Sequence, residues 1–251
     1  MNHALIERSG RVLLILIFFI ISIGGLVQIV PLFTNESTVE VVDTVRPYTP
    51  LELVGQDIFR REGCMACHSQ MIRPFRDEVD RYGHYSIAAE SQYDHPFYWG
   101  TKRTGPDLAR VGGKYSNEWH VAHLRDPRSV APESVMPSYA FLSDRLLDPS
   151  TIKRKFRTLA MVNVPYKGVH IAEAPADLVA QGTPNADVDG LLQRYPNART
   201  GDFDGQPDRL TEMDAVVAYL QSLGTHVDFS TLDAAGQGPR AASQNGKRGT
   251  S

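Results

Sequence analysis

Cys64-Met65-Ala66-Cys67-His68 uses both cysteines of the chain and places a histidine directly behind the second. This C-x-x-C-H spacing fits covalent attachment of a c-type haem. On one helical turn Cys64 and Cys67 share a face, so two thioether bonds can reach neighbouring vinyl groups of one porphyrin. His68 then faces the iron as proximal ligand, and its second ring nitrogen needs an acceptor that fixes tautomer and orientation. A bare C-x-x-C also fits a redox disulfide or half a zinc site. The first needs a βαβ context and the second needs two further Cys or His at similar spacing; the sequence offers neither.

The 251 residues, 42% of them hydrophobic, suffice for one domain with large insertions and appendages. A net charge of -3 argues against a nucleic-acid partner, which calls for a basic surplus.

Upstream of the motif, Val12 to Val30 contains no charged residue and measures about 28 Å as a helix, close to the hydrocarbon thickness of a bilayer. Pro31 is expected to end it. Ser22, Gly24, Gly25 and Gln28 weaken its far end, yet suit a helix packed against a partner helix. A signal peptide would have a shorter apolar core and a small-residue cleavage site, whereas Val30-Pro31-Leu32-Phe33 follows here. A retained anchor over residues 12–31 is the better reading. Arg8 and Arg11 precede the span, and Glu36, Glu40 and Asp43 come before the next basic residue, Arg46. The positive-inside bias therefore puts residues 1–11 in the cytoplasm and the rest outside. Bacterial c-type haem is attached on the outer side of the inner membrane, so anchor and motif agree on a single-pass inner-membrane protein with a periplasmic domain.

A tether over residues 32–50 leads to a domain expected over residues 51–226. Leu51, Val54, Ile58 and Phe59 fall at helical intervals, and Met213, Val216, Val217, Leu220 and Leu223 repeat the pattern near the end, with Asp208 as the expected cap and Gly224 as the stop. Two such terminal helices resemble the crossed helices of class I cytochromes c, with Gly55 and Phe59 meeting Val216 and Tyr219. Gly105-Pro106-Asp107-Leu108 matches the G-P-x-L segment of the same class, in which the Pro carbonyl accepts the proximal His N–H. Pro106 offers a carbonyl and no competing N–H. The fold expected is thus all-α, a class I cytochrome c-like haem domain with an insertion at about 140–206, tethered by one N-terminal transmembrane helix.

The second axial ligand has to come from a stiff loop. Met136, between Pro132 and Pro137, is the candidate. Met71 lies too near the attachment turn, Met65 is inside it, and Met161 and Met213 sit in patterns that read as core. His120 and His123 at i, i+3 on a helix over 117–124 could give bis-His ligation or a metal site, but read more simply as surface or hydrogen-bonded residues. His/Met ligation keeps the iron six-coordinate and raises its potential, which favours electron transfer over gas or peroxide chemistry.

The stretch Tyr139 to Gln206 is too long for a bare loop and must carry its own structure. Pro149 to Leu159 reads as a helix capped by Asp148. Its Lys153, Arg154, Lys155 and Arg157 make either a docking patch or, more simply, a solvated face. Residues 234–251 lack large apolar side chains and read as disordered.

Longer stretches resemble a particular family. Cys67-His68-Ser69-Gln70-Met71-Ile72-Arg73-Pro74, Arg81-Tyr82-Gly83-His84-Tyr85-Ser86, Tyr93-Asp94-His95-Pro96-Phe97 and Trp99 to Gly113 closely resemble the membrane-anchored monohaem subunit (CcoO or FixO) of cbb3-type cytochrome c oxidases. Met136-Pro137, Val164-Pro165-Tyr166, Tyr219-Leu220-Gln221 and Gly24-Gly25-Leu26 continue the match. Thr101, where the family has Ser, and the longer tail depart from it. The resemblance implies one covalently bound haem c on Cys64 and Cys67, with His68 and Met136 as axial ligands. It also implies two partners: a dihaem cytochrome c subunit that supplies electrons, and a catalytic haem b/copper subunit whose low-spin haem b receives them to reduce oxygen and pump protons. The aromatic and basic run Tyr82 to Arg103 is expected to pack partly on the catalytic subunit, with Arg103 or Trp99 serving a haem propionate. The residues alone equally suit the cytochrome subunit of a nitric oxide reductase. A free-standing haem peroxidase would usually carry two C-x-x-C-H motifs, and a sensor would need an output module.

Overall fold

The computed structural model describes residues 8–34, 39–40, 42–100 and 102–231. The expected disordered tail, most of the N-terminal segment expected in the cytoplasm and the Thr101 departure lie outside these. Contacts divide the chain into Met1–Glu40 and Val41–Ser251.

In the first unit, helix α1 spans Gly10–Thr34, with Gly10–Pro31 long and apolar enough to cross a membrane. Pro31 lies inside the helix rather than ending it. A proline in a last turn removes one backbone donor, and the residues beyond it can keep helical geometry.

The second unit is helical, with no strand among the described residues. Its frame is a crossing of α2 (Pro50–Arg61) and α9 (Glu212–Ser222). Each begins with a capping box that buries an acid. Thr49 Oγ1 accepts from Glu52 N at 3.2 Å while Thr49 N donates to Glu52 Oε2 at 2.9 Å; Thr211 N donates to Asp214 Oδ2 at 2.8 Å. The cap of α9 is therefore Thr211 and not Asp208. Leu147 N donates to Leu210 O at 3.1 Å and Glu212 N to Arg145 O at 2.8 Å. These bonds hold residues 210–212 extended against residues 145–147, so the helix cannot start earlier.

At the crossing, a Cβ on Gly55 would stand 1.9 Å from Ala215 O and 2.7 Å from Tyr219 Cβ. Only glycine admits this approach. Phe59 packs beside Tyr219 with ring centroids 5.5 Å apart. Being central, α9 is buried from Met213 to Ser222.

Between these helices lie α3 (Arg76–Tyr82), α4 (Asn117–Arg125) and the short α5 (Pro127–Val130). The segment 140–206 folds as α6 (Ile152–Met161), α7 (Gly168–Gly182) and α8 (Asp189–Arg194). Its Phe156, Leu178, Leu191 and Tyr195 join the same core as Leu51, Phe59 and Tyr219. Phe156 stacks on Tyr166, whose hydroxyl donates to Tyr48 O at 2.8 Å. The insertion is thus part of the domain core. Lys155 is drawn out of the basic face into an ion pair with Asp57 of α2, whereas Lys153, Arg154 and Arg157 are exposed. Met213 is buried as expected, but Met161 is 84% exposed. It ends α6, where Phe156 and Leu159 already supply the inward contacts.

Candidate haem site

Cys64–Ala66 form a single 3-10 turn at the end of α2, closed by Cys67 N and His68 N, both donating to Cys64 O at 3.1 and 2.9 Å. The turn is tighter than an α-helical one but keeps both cysteines and His68 on one cavity wall. Burial pushes the Cys64 thiol up to about 11. A redox-active C-x-x-C needs the opposite, a stabilised thiolate.

The loop at 103–109 closes on this turn. Gly105 N donates to Cys67 O at 2.9 Å and Leu108 N to Ser69 O at 2.8 Å. His68 Nδ1 lies 2.8 Å from Pro106 O. A carbonyl can only accept, so the Nδ1–H tautomer is fixed and Nε2 keeps its lone pair free. A Cβ on Gly105 would come within 2.3 Å of His68 Cε1, so the ring lies flat against bare backbone. Asp107 anchors the loop: its Oδ2 accepts from Ser69 Oγ at 2.5 Å and Met71 N at 3.0 Å, and its Oδ1 from Ala109 N at 2.8 Å.

These residues border a cavity of about 640 Å³, a size suited to a large cofactor. Phe59, Leu108, Val111, Leu124, Val216 and Leu220 give it apolar walls, and Met136 lines it together with Cys64, Cys67 and His68. The Met136 loop is clipped to the end of α4, where Tyr139 N donates to Leu124 O at 2.8 Å and Ser138 Oγ to Arg125 O at 2.6 Å. A largely apolar cavity of this size, a thiol pair, a fixed imidazole and a thioether fit a covalently held haem.

Two expected residues stand elsewhere. Arg103 borders a neighbouring cleft of about 300 Å³. Its Nε donates to Ser69 Oγ at 2.8 Å, and its Nη2 to Glu78 Oε2 at 2.7 Å, Met71 O at 2.9 Å and Asp107 Oδ2 at 3.3 Å. The Arg103 hydrogen bond, with further bonds from Arg73, holds Glu78 down at about 2. Trp99 Nε1 donates to Ser91 Oγ at 3.0 Å and its ring stacks on Phe97 at 4.7 Å. Neither borders the large cavity. Nε and Nη2 of Arg103 are held by Ser69, Met71, Glu78 and Asp107, and Trp99 by a hydroxyl on the turn at 88–91.

Conversely, His120 and His123 of α4 do line the cavity, and His120 is only 3% exposed. Their i, i+3 spacing was visible, but the side of α4 that faces the cavity was not. Burial lowers His120 to about 4, so its ring is neutral.

The family model for the cytochrome c oxidase mono-heme subunit/FixO matches residues 3–227. The chain belongs to this family. No curated protein matches the sequence. As a FixO-type subunit the chain is a monohaem component of a cytochrome c oxidase, with one candidate membrane helix. The FixO match covers every residue that builds the cavity, from Phe59 to Leu220.

Proposed function

We propose that this subunit holds one haem c through thioethers at Cys64 and Cys67, with His68 and Met136 as the two axial ligands. The observation that carries the reading is the single cavity bordered by both cysteines, Met136 and a His68 whose Nδ1 is held by Pro106 O at 2.8 Å. Bound there, the haem supplies one-electron redox chemistry. The protein's part is to keep the iron ligands fixed: Pro106 orients the imidazole, Gly105 gives its ring room, and Pro137 with the α4 contacts stiffens the thioether loop. The apolar walls exclude water, so little reorganisation accompanies a change of charge.

Within the complex, the subunit receives electrons from a dihaem cytochrome c subunit and delivers them to the low-spin haem b of the catalytic haem b/copper subunit. Residues 1–11 lie in the cytoplasm, α1 spans the bacterial inner membrane once, and the haem domain is periplasmic. The charge asymmetry around α1 supports this orientation.

Purification of the tagged complex in mild detergent tests the assignment. Haems b and c, a multi-span partner, oxygen reduction and a reduced haem c insensitive to carbon monoxide are expected. A partner that reduces nitric oxide would overturn the complex named here, and a carbon monoxide-sensitive haem c would overturn six-coordination. Met136→Ala should keep covalent haem and lower its midpoint potential; an unchanged potential would reject Met136 as ligand.

A further inference from the structure

Helix α9 runs along the cavity and is clasped at both ends. At its first residue, Glu212 Oε1 accepts from Arg61 Nη1 at 2.9 Å, and Arg61 stands three residues before Cys64. Nine residues later, Gln221 Nε2 donates to Tyr115 O and Asn117 Oδ1, both at 2.9 Å, and Gln221 Oε1 accepts from Gly113 N at 2.9 Å. Such a stretch of α-helix rises about 13 Å. Val216 and Leu220 line the cavity between the two clasps. The segment 113–117 is therefore held at the end of the cavity remote from the cysteines.

Haem chemistry gives these two ends different charges. Thioethers take the vinyl edge, and the two propionate carboxylates leave from the opposite edge. Among the described residues, the permanent cations on the cavity lining are Arg81, Arg110 and Lys114. Arg110 is bound by Glu90, Nη1 to Oε1 at 2.7 Å and Nη2 to Oε2 at 2.9 Å. Arg81 is shared with the neighbouring cleft beside Thr104, Gly105 and Pro106, the side that holds His68. Lys114 belongs to the remote segment, is exposed, and has no ion pair among the described residues. Its Nζ stands 5.6 Å from the centroid of the Tyr115 ring, which stacks in turn on Trp119 at 4.0 Å. Both rings border the cavity, so the ammonium has a rigid seat at its rim.

We propose that Lys114 holds a haem propionate as a charge-assisted hydrogen-bond donor, the role the sequence suggested for Arg103 or Trp99. This rests on the haem c assignment above. An ammonium on that carboxylate offsets its negative charge, which would otherwise favour the oxidised, more positive haem. The iron then titrates at a higher potential with Lys114 than without it.

The test uses the intact detergent-purified complex, with covalent haem content, the haem c midpoint potential and the propionate bending band of haem c in resonance Raman spectra as readouts. Lys114 is exposed, so Lys114→Met leaves the core packing untouched. It should shift the propionate band and lower the potential, while Lys114→Arg, which keeps a cationic donor, should stay close to wild type in both. Haem loss in Lys114→Met but not in Lys114→Arg supports the assignment as well. Equal behaviour of the two variants on all three readouts overturns it. So does a native band in haem-loaded Lys114→Met, even with a lowered potential, because a cation that is merely nearby would act on the potential alone. Absence of covalent haem from the wild-type complex would instead refute the haem c reading itself.

Discussion

Two walls of one cavity handle their polar groups in opposite ways. On the wall built from the C-x-x-C-H turn and the 103–109 loop, His68 Nδ1 and Asp107 are paired within the chain. On the α4 wall, His120 Nε2 and His123 Nδ1 are buried without a hydrogen-bond partner among the described residues. The first wall is complete before any cofactor arrives and presents a preset imidazole. The second is held by ring packing, with Tyr115 on Trp119 at 4.0 Å and Trp119 on His123 at 4.8 Å. A hydrogen-bonded wall fixes the direction of one atom, whereas a stacked wall fixes the position of a surface.

The largest change expected comes from breaking the frame that carries both walls. Gly55→Ala forces a methyl into Ala215 O, whose distance from that position is 1.9 Å. The helices must part, taking Phe59, Val216 and Leu220 out of the cavity lining. A loss of about 4 kcal/mol or more is expected, seen as a collapse of thermal stability and of haem content together. Near-native melting would show that the crossing tolerates separation.

Behind the first wall, Asp94 extends the contrast to a buried acid. Its Oδ1 accepts from Gln56 Nε2 at 2.7 Å, and burial pushes the carboxyl up to about 7, partly offset by hydrogen bonds from Gln56 and Tyr48. The folded state therefore holds a proton that the unfolded chain has released above a pH of about 4. Stability should fall as pH rises from about 4 to about 7 and change no further beyond it. Asp94→Asn should flatten that window and gain on the order of 2–3 kcal/mol at pH 8. Denaturant melts of both proteins across pH check this, and parallel curves would show that Asp94 is not the group.

A sharper probe of the first wall alone is Gly105→Ala. The new methyl meets the His68 ring at 2.3 Å, so overpacking of about 1–3 kcal/mol is expected, with the imidazole pushed off Pro106. Covalent attachment can survive this, because the thioethers do not pass through His68. The optical spectrum should then report a weakened axial bond, and a native low-spin spectrum would mean the ring has room to move.

The smallest effect separates the walls directly. Arg103→Gln removes the cationic donor of Asp107 and leaves Glu78 with Arg73, and should cost about 1–2 kcal/mol. Because Arg103 is absent from the cavity lining, the midpoint potential should hold. A shifted potential without loss of stability would return Arg103 to the haem.

The motif turn, the Pro106 loop, the Met136 loop and the two terminal helices were legible because each is written in local sequence: a fixed spacing, a proline, a period of 3.6. Within 140–206 the helix over Pro149 to Leu159 with its Asp148 cap was legible in the same way, and the remainder was not. Pro175 inside α7 discourages a helix there, and Met161 looked like core until the end of α6 left it in solvent. Arg103 shows the same limit. Its charge suggested a propionate, while its ion pairs with Glu78 and Asp107 were not visible in local sequence.

By itself the sequence determined the chemistry on offer: one attachment motif, one imidazole with a carbonyl to hold it, one thioether between prolines, one apolar span. These depend on residue type and short spacing, which covalent geometry makes local. Tertiary structure alone decided which polar groups were already satisfied. Hydrogen bonding depends on which groups meet in space, and only packing gave Nε and Nη2 of Arg103 to Ser69, Glu78 and Asp107 and set His120 and His123 on the cavity lining.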